Sequence, residues 1–284
     1  MPIDPDKLLS LKFPDTEKSY TQRDVMLYAL GIGLGQNPID PHELAFVYEK
    51  NLKVLPTFAV VLGFEPFLLR GTGITFEMTV HGEEHLTLHR PLATSGTIVA
   101  RHIIDDVIDK GAGKGALLLM RRLIFDKTTG APIATIRQSV FCRGDGGFGG
   151  SATGKPQPDA AIPHRSPDLV LTRPIPPQAA LIYRLLADLN PLHADPEVAQ
   201  AAGFPRPILH GLATFGVAGF ALLAGLGGGD ASALQELSCR FSAPVFPGET
   251  LQTDIWSDGG QTVFRCTAVE RDKVVLDRGR AVFR

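Results

Sequence analysis

Three polar side chains lie within six residues of one another around a proline: Asp188, Asn190 and His193, with Pro191 between them. A helix that ends before Pro191 turns its last side chains toward a common point. A carboxylate and an imidazole ordinarily titrate near about 3.9 and 6.5, on the acid side of and close to neutrality, so a partly buried pair supplies a proton acceptor and a donor to one small molecule. Further on, Ile208-Leu209-His210-Gly211-Leu212 opens a long apolar stretch. The first backbone N–H groups of a helix can hold a developing oxyanion, and Gly211, with no side chain, lets a carbonyl come close. His210 is expected to pack or to hydrogen bond at the helix start rather than to transfer a proton. The plainer reading of Asp188-Leu-Asn190-Pro191 is a helix-terminating turn, a duty Asp and Asn serve routinely.

The elements that must position these residues occur twice. Pro91-Leu-Ala-Thr-Ser-Gly-Thr97 leads into an alternating segment that closes at Asp105, and Pro244-Val-Phe-Pro-Gly-Glu-Thr250 leads into one that closes at Asp258, at a constant offset of 153. Two more strand-like stretches follow each, at 116–125 and 131–142 in the first copy and at 261–269 and 274–283 in the second. Helical pattern precedes both meanders, over 21–34 in one and over 177–189 and 211–225 in the other. Helices ahead of strands, without alternation, indicate an α+β fold. The helical segments align at an offset of 155, which sets Tyr28 opposite Tyr183 and sets Asp188, Asn190 and His193 opposite Gly33, Gly35 and Pro38. The second copy therefore keeps a polar site that the first lacks. Between the copies, glycines give way to prolines and apolar residues almost vanish, so residues 1–143 are expected to form one unit, 144–165 a linker and 166–284 a second unit.

The wider string runs Tyr183-Arg-Leu-Leu-Ala-Asp188-Leu-Asn190-Pro191-Leu192-His193-Ala-Asp195-Pro196 and continues in Ala202-Gly-Phe-Pro205-Arg206-Pro207-Ile208-Leu209-His210-Gly211-Leu-Ala-Thr-Phe215-Gly216. It closely resembles the MaoC-like, (R)-specific enoyl-CoA hydratase 2 family. The first half, through Tyr20-Thr-Gln-Arg-Asp-Val-Met-Leu-Tyr28-Ala-Leu-Gly31, Pro56-Thr-Phe58 and Gly82-Glu-Glu-His85-Leu-Thr-Leu-His89-Arg-Pro91, is similar to the degenerate partner unit of the eukaryotic type. One departure is Leu186-Ala187, where the family commonly has Ser-Gly. The resemblance implies a double hot-dog fold, each unit wrapping an antiparallel sheet around a central helix. It implies reversible syn hydration of a trans-2-enoyl-CoA to the (3R)-3-hydroxyacyl-CoA. Asp188 and His193 would hold the water, Asn190 would orient it, and the Gly211 N–H would stabilise the thioester oxygen. It implies no metal and no cofactor, coenzyme A being part of the substrate, and it suggests a homodimer. Arg206 is the candidate contact for a coenzyme A phosphate. In the degenerate unit, Gly31, Gly33 and Gly35 are expected to clear volume for a long or bulky acyl group. Two other readings stand beside this one: an acyl-CoA thioesterase, in which a carboxylate directs water at the thioester carbonyl, and a non-catalytic acyl-CoA-binding protein.

Composition narrows the field from the other side. With 44% apolar and 20% charged residues and a formal net charge of -2, the 284 residues lack the electrostatic footprint of nucleic-acid binding or of attachment to an anionic membrane. The longest apolar run, 212–226, is too short and too glycine-rich to span a bilayer. Cys142, Cys239 and Cys266 are too few and too scattered for a disulfide framework, and the amino terminus carries acid and proline where a signal peptide needs base and apolar residues. A cytoplasmic location is expected. Gly149-Gly-Ser-Ala-Thr-Gly154-Lys155 nearly spells a phosphate loop, but Pro156 replaces the magnesium-binding Ser or Thr and no strand leads in. His81, His85 and His89 would align on a helix as zinc ligands, but Gly82 and alternating Leu86 and Leu88 indicate extended chain with the three on one face and far apart.

Overall fold

The computed structural model describes residues 3–150, 161–186, 188–258 and 261–284. The middle of the Gly/Pro-rich stretch, the lysine end of the phosphate-loop-like sequence and Ala187 lie outside the described residues. In the first unit the strands are β1 (Thr16–Tyr20), β2 (Thr79–Leu88), β3 (Gly96–Asp109), β4 (Ala116–Asp126) and β5 (Pro132–Cys142). In the second they are β6 (Leu169–Pro174), β7 (Leu234–Phe241), β8 (Thr250–Asp258), β9 (Gln261–Ala268) and β10 (Lys273–Phe283). All join one antiparallel sheet in the order β1-β3-β4-β5-β2-β7-β10-β9-β8-β6. Read inward from each edge, the two halves carry the same permutation, and β2 and β7 form the seam. The internal repeat of the sequence is thus a repeat of topology, a double hot-dog.

Among the described residues six α-helices accompany the sheet: α1 (Pro5–Ser10), α2 (Gln22–Gly31), α3 (Pro41–Val47), α4 (Ala179–Tyr183), α5 (Pro196–Ala201) and α6 (Gly211–Leu226). Apolar on nearly every side, α6 is buried from Leu212 to Leu223 and exposed only in its last turn. Its glycines admit close neighbours: a Cβ on Gly216 would stand 2.6 Å from the Tyr28 hydroxyl. In the first unit the corresponding place in chain order is held by a 3₁₀ helix of only six residues, Pro56–Val61, entirely buried and packed on α6. Helices α2 and α4 also meet, and there the residues aligned in sequence come together, with the Tyr28 and Tyr183 rings 5.8 Å apart and both buried.

The Gly/Pro-rich stretch begins fixed to the first unit. The Asp145 carboxylate accepts from the Thr75 N–H and hydroxyl, and Asp109 accepts from the N–H groups of Gly147 and Gly149. All three cysteines are free and buried. Among the described residues no helix is long and apolar enough to cross a membrane.

Candidate active site

Helix α4 ends at Tyr183, well before Pro191, and Pro191–His193 forms a single 3₁₀ turn. Of the expected helix over 177–189 the structure keeps Ala179–Tyr183, and Asp188 and Asn190 engage in turn hydrogen bonds instead. The Asp188 Oδ1 accepts from the Asn190 N–H at 3.0 Å, and the Asn190 Oδ1 accepts from the Leu192 N–H at 3.1 Å. The turn reading and the site reading therefore describe the same atoms. With its carbonyl oxygen committed, what Asn190 can offer a ligand is its amide N–H.

His193 is buried, and its Nδ1 donates to the Ile208 carbonyl at 2.9 Å. That bond leaves Nε2 as the bare nitrogen of the neutral ring. It faces the Asp188 Oδ2 at 3.9 Å, too long for a direct hydrogen bond and short enough for both to reach one intervening oxygen atom. Burial, the largest effect, pulls the His193 pKa below its ordinary value, against the Ile208 hydrogen bond and the Asp188 charge. His210 stacks on it, with ring centroids 3.6 Å apart, and donates from Nε2 to the Asp188 backbone carbonyl at 3.1 Å. Its pKa is also lowered by burial, then by His193. The expected hydrogen bond at the helix start is present, and it ties the first residue of α6's approach to the backbone of Asp188.

Gly211 is the first residue of α6, so its N–H has no intrahelical acceptor. A Cβ there would meet the Phe241 ring at 3.3 Å. Asp188, Asn190, His193, His210 and Gly211 all line one cavity of about 530 Å³. Arg206 does not line it. It is exposed, its guanidinium over the Phe246 ring at 5.1 Å and donating to the Pro247 carbonyl.

The cavity crosses into the first unit, where Val61, Phe64, Leu68, Leu69, Met120 and Val140 line it. Gly31, Gly33 and Gly35 do not, contrary to expectation. Gly31 packs on the Tyr183 backbone, where a Cβ would come within 3.0 Å, and the other two adopt φ near +85° in the turn after α2. The space lies instead beside the chain that follows the short Pro56–Val61 helix. The three spaced histidines also separate: β2 is extended as expected, but a register shift between His81 and Glu83 turns His81 to the cavity side, where it bonds Glu84 at 2.8 Å, while His85 faces Glu236 on β7. An isolated glycine within a strand, Gly82, was the sequence signal for that bulge.

Asp188, His193 and His210 are the grouping of metal-ligand type among the described residues, with donor atoms within 4.8 Å of one another. The two rings stack with only 25° between their planes, so their lone pairs run side by side rather than converging on an ion.

Residues 19–144 match the MFE-2 hydratase 2 N-terminal domain, and residues 159–278 match the MaoC like domain. Enoyl-CoA hydratase ChsH3 of Mycobacterium tuberculosis is 40% identical over 98% of both chains. The chain belongs to the MaoC-like hydratase 2 family. The enzyme named enoyl-CoA hydratase 2, peroxisomal, of Arabidopsis thaliana is 39% identical over 95% of this chain and 93% of its own. A MaoC-like dehydratase from Phytophthora capsici superposes with a TM-score of 0.86 at 34% identity, over 98% of each chain. Family membership therefore extends over both units, including the one that lacks the Asp-x-Asn-Pro-x-His motif.

Proposed function

We propose that the protein adds water reversibly, in the syn sense, to trans-2-enoyl-CoA thioesters to give (3R)-3-hydroxyacyl-CoA. The observation that carries this is the 3.9 Å gap between the Asp188 carboxylate and His193 Nε2 in a cavity that also receives the N–H end of α6. A water held in the gap donates toward both groups, with the Asn190 amide N–H engaging one of its lone pairs and leaving the other to attack. Its oxygen bonds to C3, and the π electrons of C2=C3 move onto the thioester oxygen, where the Gly211 N–H meets the growing charge. The Asp188–His193 pair takes the water's proton and returns one to C2 on the same face, so the pair ends each turnover as it began. Neutral His193 suits this cycle, since a ring already protonated could not accept. Arg206, exposed beside Phe246 and with no carboxylate partner among the described residues, serves the coenzyme A phosphates. The only cofactor chemistry the reading asks for is the coenzyme A of the substrate.

The test is incubation of purified protein with a trans-2-enoyl-CoA while enoyl absorbance and free thiol are followed together. Loss of enoyl without thiol release, abolished in Asp188→Asn and His193→Gln, is the expected result. Thiol release would instead indicate thioester hydrolysis, and no reaction would indicate a binding protein.

A further inference from the structure

The interior of the first unit is not uniformly apolar. Along β4 the buried positions alternate through Leu118, Met120, Arg122 and Ile124, so a guanidinium stands where the pleat calls for an aliphatic side chain. Arg122 is only 3% exposed and lines the cavity that contains Asp188 and His193. One terminal nitrogen donates to the Val60 carbonyl at 2.6 Å, the Phe64 ring lies 5.4 Å from the guanidinium carbon, and Nε has no partner. Glu84 and Glu65 act on it through space, but among the described residues no carboxylate forms an ion pair with it. Taking a charge out of water costs several kcal/mol, which a bonded counter-charge normally offsets. Burial lowers its pKa to about 10, and it remains a cation at neutral pH.

The residues around it share this condition. His102 stands directly opposite Arg122 in the β3–β4 register and also lines the cavity. Its ring bonds the Gly63 backbone, its Nε2 is buried without a partner, and burial together with the Arg122 charge holds it neutral, at about 4. The Gln138 amide, from β5, finds among the described residues only the Met120 sulfur at 3.9 Å, a weak acceptor. A guanidinium, an imidazole acceptor and an amide thus line one wall, each with hydrogen-bonding capacity that no group among the described residues takes up.

We infer that Arg122 is a specificity-determining residue, and that the first-unit chamber selects an acyl group bearing an oxygen function (hydroxyl, carbonyl or carboxylate), which Arg122 and Gln138 hold by hydrogen bonds. The inference rests on the hydratase reading for its thioester. A plain alkyl chain would cover these groups and return nothing to them, and sites built around a substrate oxygen reject analogues that lack it far more strongly than apolar pockets reject an added one.

The experiment is calorimetric titration of the full chain with saturated acyl-CoAs of matched length, one unsubstituted, one ω-hydroxylated and one ω-carboxylated. Saturated ligands have no C2=C3 bond to hydrate, so with free thiol monitored to check that the thioester stays intact, binding is read apart from hydration, and the matching enoyl-CoAs then report kcat/KM. At least one oxygenated ligand should bind about tenfold or more tightly than the unsubstituted one, and Arg122→Met should shrink that ratio to about twofold or less. Equal or tighter binding of the plain chain overturns the inference, as does a preference that survives in Arg122→Met or an equal loss of all three ligands in that variant. Should Arg122→Met fail to fold by circular dichroism, Gln138→Leu reads the same ratio. A several-fold fall supports the inference and an unchanged ratio overturns it. A preserved binding preference without hydration of any enoyl-CoA would remove the hydratase reading and leave the chamber assignment standing.

Discussion

His193 and His210 stack with 3.6 Å between ring centroids, and each is fixed by a bond from one nitrogen to a backbone carbonyl, Ile208 for the first and Asp188 for the second. Neither ring can take up a proton without facing the other, and burial already disfavours the charge. If neutral His193 is the working form, kcat/KM for an enoyl-CoA stays level as the pH falls through about 6.5, the ordinary histidine value, and declines only in more acid solution. A pH profile of kcat/KM checks this, and an acid limb centred at or above that value would contradict it. His210→Ala opens the stack to water and removes the neighbouring ring, so the acid limb should move up in pH while the rate falls.

The same burial makes the fold sensitive to acid. His102, His193 and His210 all have lowered folded-state values, so below about pH 6.5 the unfolded chain binds protons that the folded chain refuses. The stability they contribute is complete above that pH and is lost as the pH falls toward each lowered value, which for His102 lies at about 4. Each contributes a slope of up to about 1.4 kcal/mol per pH unit within its window. Urea titrations between neutrality and pH about 5 should show a falling unfolding free energy, and His102→Phe should flatten the lower part of the slope.

Gly211 lends itself to an unusual deletion. As the first helical residue it can become proline at small cost to the helix, and the extended backbone at His210 (φ -57°, ψ 136°) already suits a following proline. Gly211→Pro removes the N–H assigned to the thioester oxygen, and kcat should drop by about 10² to 10³ with little change in far-ultraviolet circular dichroism. Gly211→Ala keeps the N–H and crowds Phe241, so it separates the two effects. Equal activity in the proline variant would dismiss the oxyanion role.

Much of this arrangement could be read from the residues. The offset of 153 that pairs Thr97 with Thr250 locates β3 and β8 as equivalents, and the sheet order repeats accordingly. The spacing from Asp188 to His193 and the start of α6 at Gly211 needed no structure. Other features are properties of the third dimension. The Asp188–His210 bond joins a side chain to a backbone oxygen twenty-two residues away, which no periodicity shows. The run Gly31, Gly33, Gly35 beside the aligned polar site suggested empty space, yet Gly31 is small so that the Tyr183 backbone can touch it, while the cavity is lined from the first unit by the chain after the Pro56–Val61 helix. Arg122 is buried on a strand whose alternation gives no sign of it, since arginine in such a pattern ordinarily marks an outward position.

Packing between the units should be tightly specified where α6 meets α2. A methyl group on Gly216 would come within 2.6 Å of the Tyr28 hydroxyl and 2.9 Å of Ile32. Gly216→Ala should cost about 1–3 kcal/mol of unfolding free energy by chemical denaturation, and Tyr28→Phe, by freeing the hydroxyl's space, should recover part of it.

The central claim is that Asp188 and His193 together deliver one water across C2=C3 on a single face. Hydration of a trans-2-enoyl-CoA in deuterium oxide tests it directly, with the product's configuration at C2 and C3 determined. The expected product is the (3R)-hydroxyacyl-CoA with deuterium on C2 on the same face as the new hydroxyl, and Asp188→Asn and His193→Gln each form it at least about 10² times more slowly. A (3S) product, deuterium on the opposite face, or undiminished rates in either variant would contradict the claim.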